Sequence, residues 1–109
     1  MRLPERLTME SPTSSSDGTG GVISGWTEEF QCRAKFLYLR GGESVRSARL
    51  EGRQPVVATV RANTNTRQIT TAWRFLDQRK SDLVYNIRAI VEADDRQYLE
   101  ITAESGVPT

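Results

Sequence analysis

A chain of 109 residues with 37% hydrophobic content holds one domain around a modest core, and a formal net charge of +1 sets up no overall field toward nucleic acid or membrane. A single cysteine, Cys32, excludes an intrachain disulfide. With no histidine, Ser-His-Asp and Cys-His catalysis and His-ligated zinc are excluded as well.

Glu5 to Ser11 reads as a short strand with Leu7 and Met9 on one face, closed by Pro12. Residues 12–21, PTSSSDGTGG, read as a hairpin loop with a turn signal at Asp17-Gly18. It is no phosphate-cradling loop, because neither Lys-Ser/Thr nor a helix follows in the required order. Val22 to Tyr38 reads as a long strand, bent at Gly25. Trp26, Phe30, Cys32, Ala34, Phe36 and Tyr38 share an inner parity, and Thr27, Glu29, Gln31, Arg33 and Lys35 the outer one. Cys32 is therefore expected as a small buried hydrophobe, not a nucleophile.

The period changes in the stretch 36–54, FLYLRGGESVRSARLEGRQ. It breaks at Gly41-Gly42, which serve as a hinge, and turns helical from Glu43. Val45, Ala48, Arg49 and Leu50 recur at helical spacing until Gly52 stops the helix. So short a helix needs a neighbouring surface. Arg40, Arg46, Arg49 and Arg53 stand in this stretch against only Glu43 and Glu51. It reads as a projecting arm whose four arginines have phosphates, carboxylates of a neighbouring subunit, or water as candidate partners. Arginine outnumbers lysine thirteen to two, a bias toward planar, bidentate interface contacts that a GC-rich genome would also produce.

Pro55 to Arg61 is a β-branched strand. Residues 62–71 are polar loop with a short strand around Ile69. Trp73 to Leu76 is a brief strand, and 77–82 a charged turn. Leu83 to Val91 is a central strand, 93–96 a tight turn, Gln97 to Ala103 a closing strand and 104–109 a tail. The sum is an all-β fold, a small barrel or sandwich of about six strands in one domain over 1–109, with a long inserted loop carrying a short helix. No apolar run approaches a membrane span, and the first residues lack the apolar segment of a signal peptide. The paired carboxylates carry no chemistry: Glu28 and Glu29 point to opposite faces of a strand, and Asp94-Asp95 serves a turn. No catalytic residue, metal or cofactor is expected. Nucleic-acid stacking is disfavoured because most aromatics fall at inward parity, although a single-stranded nucleic-acid-binding barrel remains the runner-up.

Taken in order, several features resemble the tailed-phage head–tail joining proteins, also called head-closure or stopper proteins. They are the opening strand LPERLTME with Arg6-Leu7-Thr8; Asp17-Gly18 and Gly20-Gly21 before Trp26; Ala34, Phe36, Leu39, Gly41 and Glu43; the helix with Ala48; Val60-Arg61; Arg74; Tyr85-Asn86-Ile87; and Leu99-Glu100-Ile101. The likeness runs from about residue 3 to 104. It departs at Gln78 to Val84, longer than the family's usual two-residue turn, which leaves the register of the last strands open. The resemblance implies a small barrel that forms a homo-oligomeric ring, a hexamer or alternatively a dodecamer. The ring would sit below the portal and adaptor, close the channel on packaged double-stranded DNA, and dock a tail terminator or tail tube. The arm with its four arginines would line that channel or brace the next subunit. It implies a virion protein of a phage or a phage-derived gene transfer agent, made in the bacterial cytoplasm, with no membrane partner. A tail terminator or tail-completion protein is the related alternative.

Overall fold

The computed structural model describes residues 2–16, 18, 20–39 and 41–106. Six strands close an antiparallel barrel in the order β1-β2-β3-β6-β5-β4: β1 (Glu5–Ser16), β2 (Val22–Tyr38), β3 (Gln54–Arg61), β4 (Arg74–Asp77), β5 (Lys80–Glu92) and β6 (Tyr98–Ser105). One helix, α1 (Glu43–Leu50), lies between β2 and β3, and a single 3-10 turn, Thr66–Gln68, between β3 and β4. Closure leaves the barrel strands no open edge. Among the described residues no helix is long and apolar enough to cross a membrane, and no cluster of side chains suits a metal ion.

Alternate residues of each strand fill the interior: Leu7 and Met9, Ala34, Val56, Ala58 and Val60, Phe75, Tyr85 and Ile87, Leu99, Ile101 and Ala103. Phe75 stacks on Tyr85 at 5.1 Å and Phe36 leans on both, so the aromatic rings pack on each other inside the barrel. Cys32 is half-buried against this core, and burial pushes its thiol up to about 11.

Several boundaries differ from the sequence reading. Pro12 does not end β1, which runs on to Ser16 opposite Val22. β4 pairs with β1 only from Leu7 to Glu10, so Pro12 lies on an open edge, where a missing N–H goes unfelt. Ile69 is buried beside the 3-10 turn and not in a strand. The charged turn shrinks to Gln78-Arg79, because Asp77 already pairs with Lys80. The two-residue turn of the resembled family is thus present after all. β6 extends to Ser105, paired with both Gln54 and Tyr85, which moves the tail's start to Gly106.

The largest difference concerns Trp26. A bulge interrupts the β1–β2 ladder: Met9 pairs with Phe30, but Glu10 pairs with Glu28. One extra residue on β2 exchanges inner and outer faces beyond that point. Trp26 therefore lies outside the barrel, where the Arg74 guanidinium covers its ring at 4.3 Å and donates to Glu10 at 2.6 Å. The same bulge leaves Glu28 and Glu29 both exposed.

Beyond Glu10, β1 and β2 continue as a two-stranded ribbon outside the barrel. The radius of gyration, 14.9 Å, exceeds the roughly 13 Å of a compact chain this long. Because all strands are antiparallel, the ribbon, the β3–β4 connection and the β5–β6 turn share one end. The α1 arm, the β4–β5 turn, the start of β1 and the end of β6 share the other.

Candidate functional site

The arm leaves the sheet later than its sequence suggests. Phe36 to Tyr38 still pair with β3, and Gln54, the first residue of β3, pairs with Ser105 of β6, so the free stretch is 39–53. Its root is tied down on both sides. Leu39 N–H donates to the Pro55 carbonyl at 3.1 Å, and Gln54 Nε2 donates to the Leu39 carbonyl at 3.1 Å. Gly42 opens the helix at φ +88°, a conformation that side chains resist. Gly52 ends it at φ +84°: Gly52 N–H donates to Arg49 O at 3.0 Å and Arg53 N–H to Ala48 O at 2.9 Å, the paired bonds of a Schellman stop. Gly106 lies so close to Gly52 that a Cβ there would overlap the Gly52 carbonyl oxygen.

Only one face of α1 rests on its own barrel. Ala48 is buried, and α1 meets β3. Leu50 is 89% exposed, although its spacing seemed to place it with the apolar residues. Two residues past Ala48 is about 200° around a helix, the opposite face. Leu37, on the outer face of β2, is 63% exposed. These two apolar side chains are what the sequence reading missed.

The predicted arginines separate into three groups. Arg40 lies outside the described residues. Arg53 turns inward: it reaches Glu51 at 2.7 Å and Glu104 at 3.4 Å, and Arg88 shares Glu104 at 3.6 Å. Arg46 and Arg49 are exposed, with no ion pair to a described residue. The structure therefore brings Arg46, Arg49 and Leu50 together on the free side of the arm and sets Arg53 at its root. Gly41 is exposed with open space around it.

The sequence matches the model of the phage head completion proteins over residues 1–106. The chain belongs to that family. With membership comes a coarse role, that of a structural protein of a phage-type head. A chain from the virion of a native gene transfer agent particle is similar to this head completion protein at 25% identity, with a TM-score of 0.68, covering 98% of this chain and 97% of that one. The solution structure of protein SF1141 from Shigella flexneri 2a shares the fold, with a TM-score of 0.71 at 20% identity over 99% of this chain and 96% of that one. No curated protein matches the sequence.

Most aromatics are unavailable for base stacking: Phe30, Phe36, Trp73, Phe75 and Tyr85 pack within or against the core, and the outer-face rings of Trp26 and Tyr98 each lie under an arginine, Arg74 and Arg61, while Tyr38 is 41% exposed.

Proposed function

We propose that this head completion protein acts as a ring below the portal and adaptor, closing the DNA channel after packaging and giving the tail terminator or tail tube its dock. Six copies, or alternatively twelve, make the ring. The role is binding and gating, without bond chemistry, and its place is the virion's head–tail interface.

One observation carries the reading: the 39–53 arm is anchored at its root, yet Leu50, Arg46 and Arg49 are exposed and the two arginines have no ion pair to a described residue. A helix of eight residues is marginal alone, and the exposed Leu50 at its end is available for burial against another molecule. In a ring, each arm reaches the next subunit or the central passage, and every copy adds its arginines to one shared field. Gly41 and Gly42 provide the pivot for that reach.

The test replaces Arg46 and Arg49 with Glu and leaves Arg53, whose ion pairs hold the root. The purified variant should fold as the wild type does, while particles assembled with it lose DNA or lack tails. Filled, tailed particles in normal yield would overturn the reading.

A further inference from the structure

A second set of arginines lies on the barrel wall, outside the 39–53 arm. Arg6 on β1 is the direct cross-strand partner of Arg33 on β2. Arg61 on β3 comes one residue past the pair Ala34↔Val60, level with Arg33. All three have outward parity and are exposed. Arg2, Arg33, Arg61 and Arg79 line one cleft of about 700 Å³ together with Gln31 and Asn63. A smaller cleft continues it past Arg6 to Gln78.

Like charges directly opposite on neighbouring strands are unfavourable. Among the described residues no carboxylate lines either cleft, Arg79 reaches Glu5 at 3.7 Å, and Arg6 and Arg33 have no ion pair to a described residue. The surroundings are nonetheless firmly built. Thr66 is buried and donates to the Arg61 carbonyl at 2.8 Å. Its N–H and that of Asn63 are each held by the other's side chain at 2.9 Å. A barrel that keeps an uncompensated cation row on a rigid wall is shaped for an anion supplied from outside.

We propose that this row binds the sugar–phosphate backbone of duplex nucleic acid. Adjacent strands are spaced about 4.8 Å, so Arg6 to Arg61 spans about 10 Å. With the added reach of the arginine side chains, a row of that length can meet three consecutive phosphates of one DNA strand. The guanidinium fork pairs with phosphate oxygens, and the flanking Gln31, Asn63 and Gln78 are of the type that contact phosphate and sugar. An acidic protein fits less well, since the apolar part of the cleft lining, Leu3, Pro4 and Cys32, includes no aromatic anchor of the kind that carries protein–protein affinity. A single strand fits less well too: Tyr98, the aromatic beside the row, is covered by Arg61 at 5.7 Å and gives no platform to a base. The site needs neither the ring nor the arm.

Fluorescence anisotropy with a labelled 30-base-pair duplex, titrated with the full chain from about 25 to 150 mM salt, tests the assignment. Neutralising three or four phosphates predicts a log–log salt slope of about −3. In Arg33→Gln/Arg61→Gln the slope should become shallower by about 2, at about 0.9 per lost phosphate contact. Arg33→Gln alone should melt no lower than wild type, which shows that any binding loss is not unfolding. Arg46→Gln/Arg49→Gln should bind as wild type does. No binding at low salt overturns the proposal. So does loss confined to the arm variant, tighter binding of the matching single strand, or equal competition by poly-glutamate. Any of these leaves the ring reading intact, because that reading is judged by leakage and tailing of particles.

Discussion

The two excursions from the barrel are built on different principles. The 39–53 arm is a short helix fixed at its root by backbone hydrogen bonds, a glycine–glycine contact and the Arg53–Glu104–Arg88 ion pairs. The β1–β2 ribbon at the opposite end continues two barrel strands through their shared ladder, with an outer-face cluster at its base, Trp26 under Arg74 with Glu10. The contacts at the arm's root are mostly main chain, so the root tolerates changes in the arm's exposed side chains. The ribbon's base carries a cluster of three side chains, so it is more open to single substitutions.

The comparison breaks most easily at Gly106. Alanine there meets the Gly52 carbonyl oxygen and must adopt φ +84°. A left-handed alanine costs about 1–2 kcal/mol and overpacking about 1–3. We expect Gly106→Ala to lower unfolding free energy by about 3 kcal/mol in urea, with amide exchange rising first across 41–53. A loss under about 1 kcal/mol would mean that the arm's root is not held by this contact.

Next in size is an effect that should spare both excursions. Burial raises the Cys32 thiol to about 11 and the Tyr85 hydroxyl further. Groups with raised folded values stabilise fully below their unfolded values, and that stability is lost as pH rises toward the folded ones. Stability should therefore hold to about pH 9 and fall above it. Cys32 accounts for up to about 2–3 kcal/mol, at 1.36 kcal/mol per unit. Cys32→Ala should flatten the part of the fall between pH 9 and 11. An unchanged curve would separate alkaline loss from the barrel interior.

The arm and the ribbon were also unequally legible. Helix onset after Gly42 and its stop at Gly52 follow from local chemistry, because glycine at a left-handed position is a property of one residue. The alternation from Phe30 to Phe36 likewise exposes its own inner face. The ribbon was hidden by Pro12, an ordinary strand breaker that is harmless on an edge only tertiary pairing creates. Trp26 was misplaced because a bulge adds a residue without altering composition. Its one signal, two adjacent carboxylates at Glu28-Glu29, also suits a regular strand. Arg53 shares its helical spacing with Arg46 and Arg49, and only the fold brings Glu104 to it across 51 positions.

A smaller change isolates the ribbon. Trp26→Leu keeps bulk and removes the ring over which Arg74 lies. A partly buried cation–π contact is worth about 1 kcal/mol. We expect about that loss globally, with faster amide exchange in 11–16 and 22–27 and none added in 41–53. Matching changes at both ends would show the two projections to be coupled through the barrel.

The smallest expected effect is the most discriminating for the arm. Arg46→Glu/Arg49→Glu removes two exposed cations with no ion pair to a described residue, so stability should stay within about 0.5 kcal/mol of wild type. Arg53→Ala, by contrast, strips the partner from Glu51 and one of two partners from Glu104, and should cost about 1 kcal/mol even though it lies on the same arm. The two variants thus divide one arginine-rich segment into a supporting half and a presenting half. If Arg53→Ala proved as silent in urea as the double variant, while matching its defect in particles, Arg53 too would belong to the presenting half. The root would then rest on its backbone contacts alone.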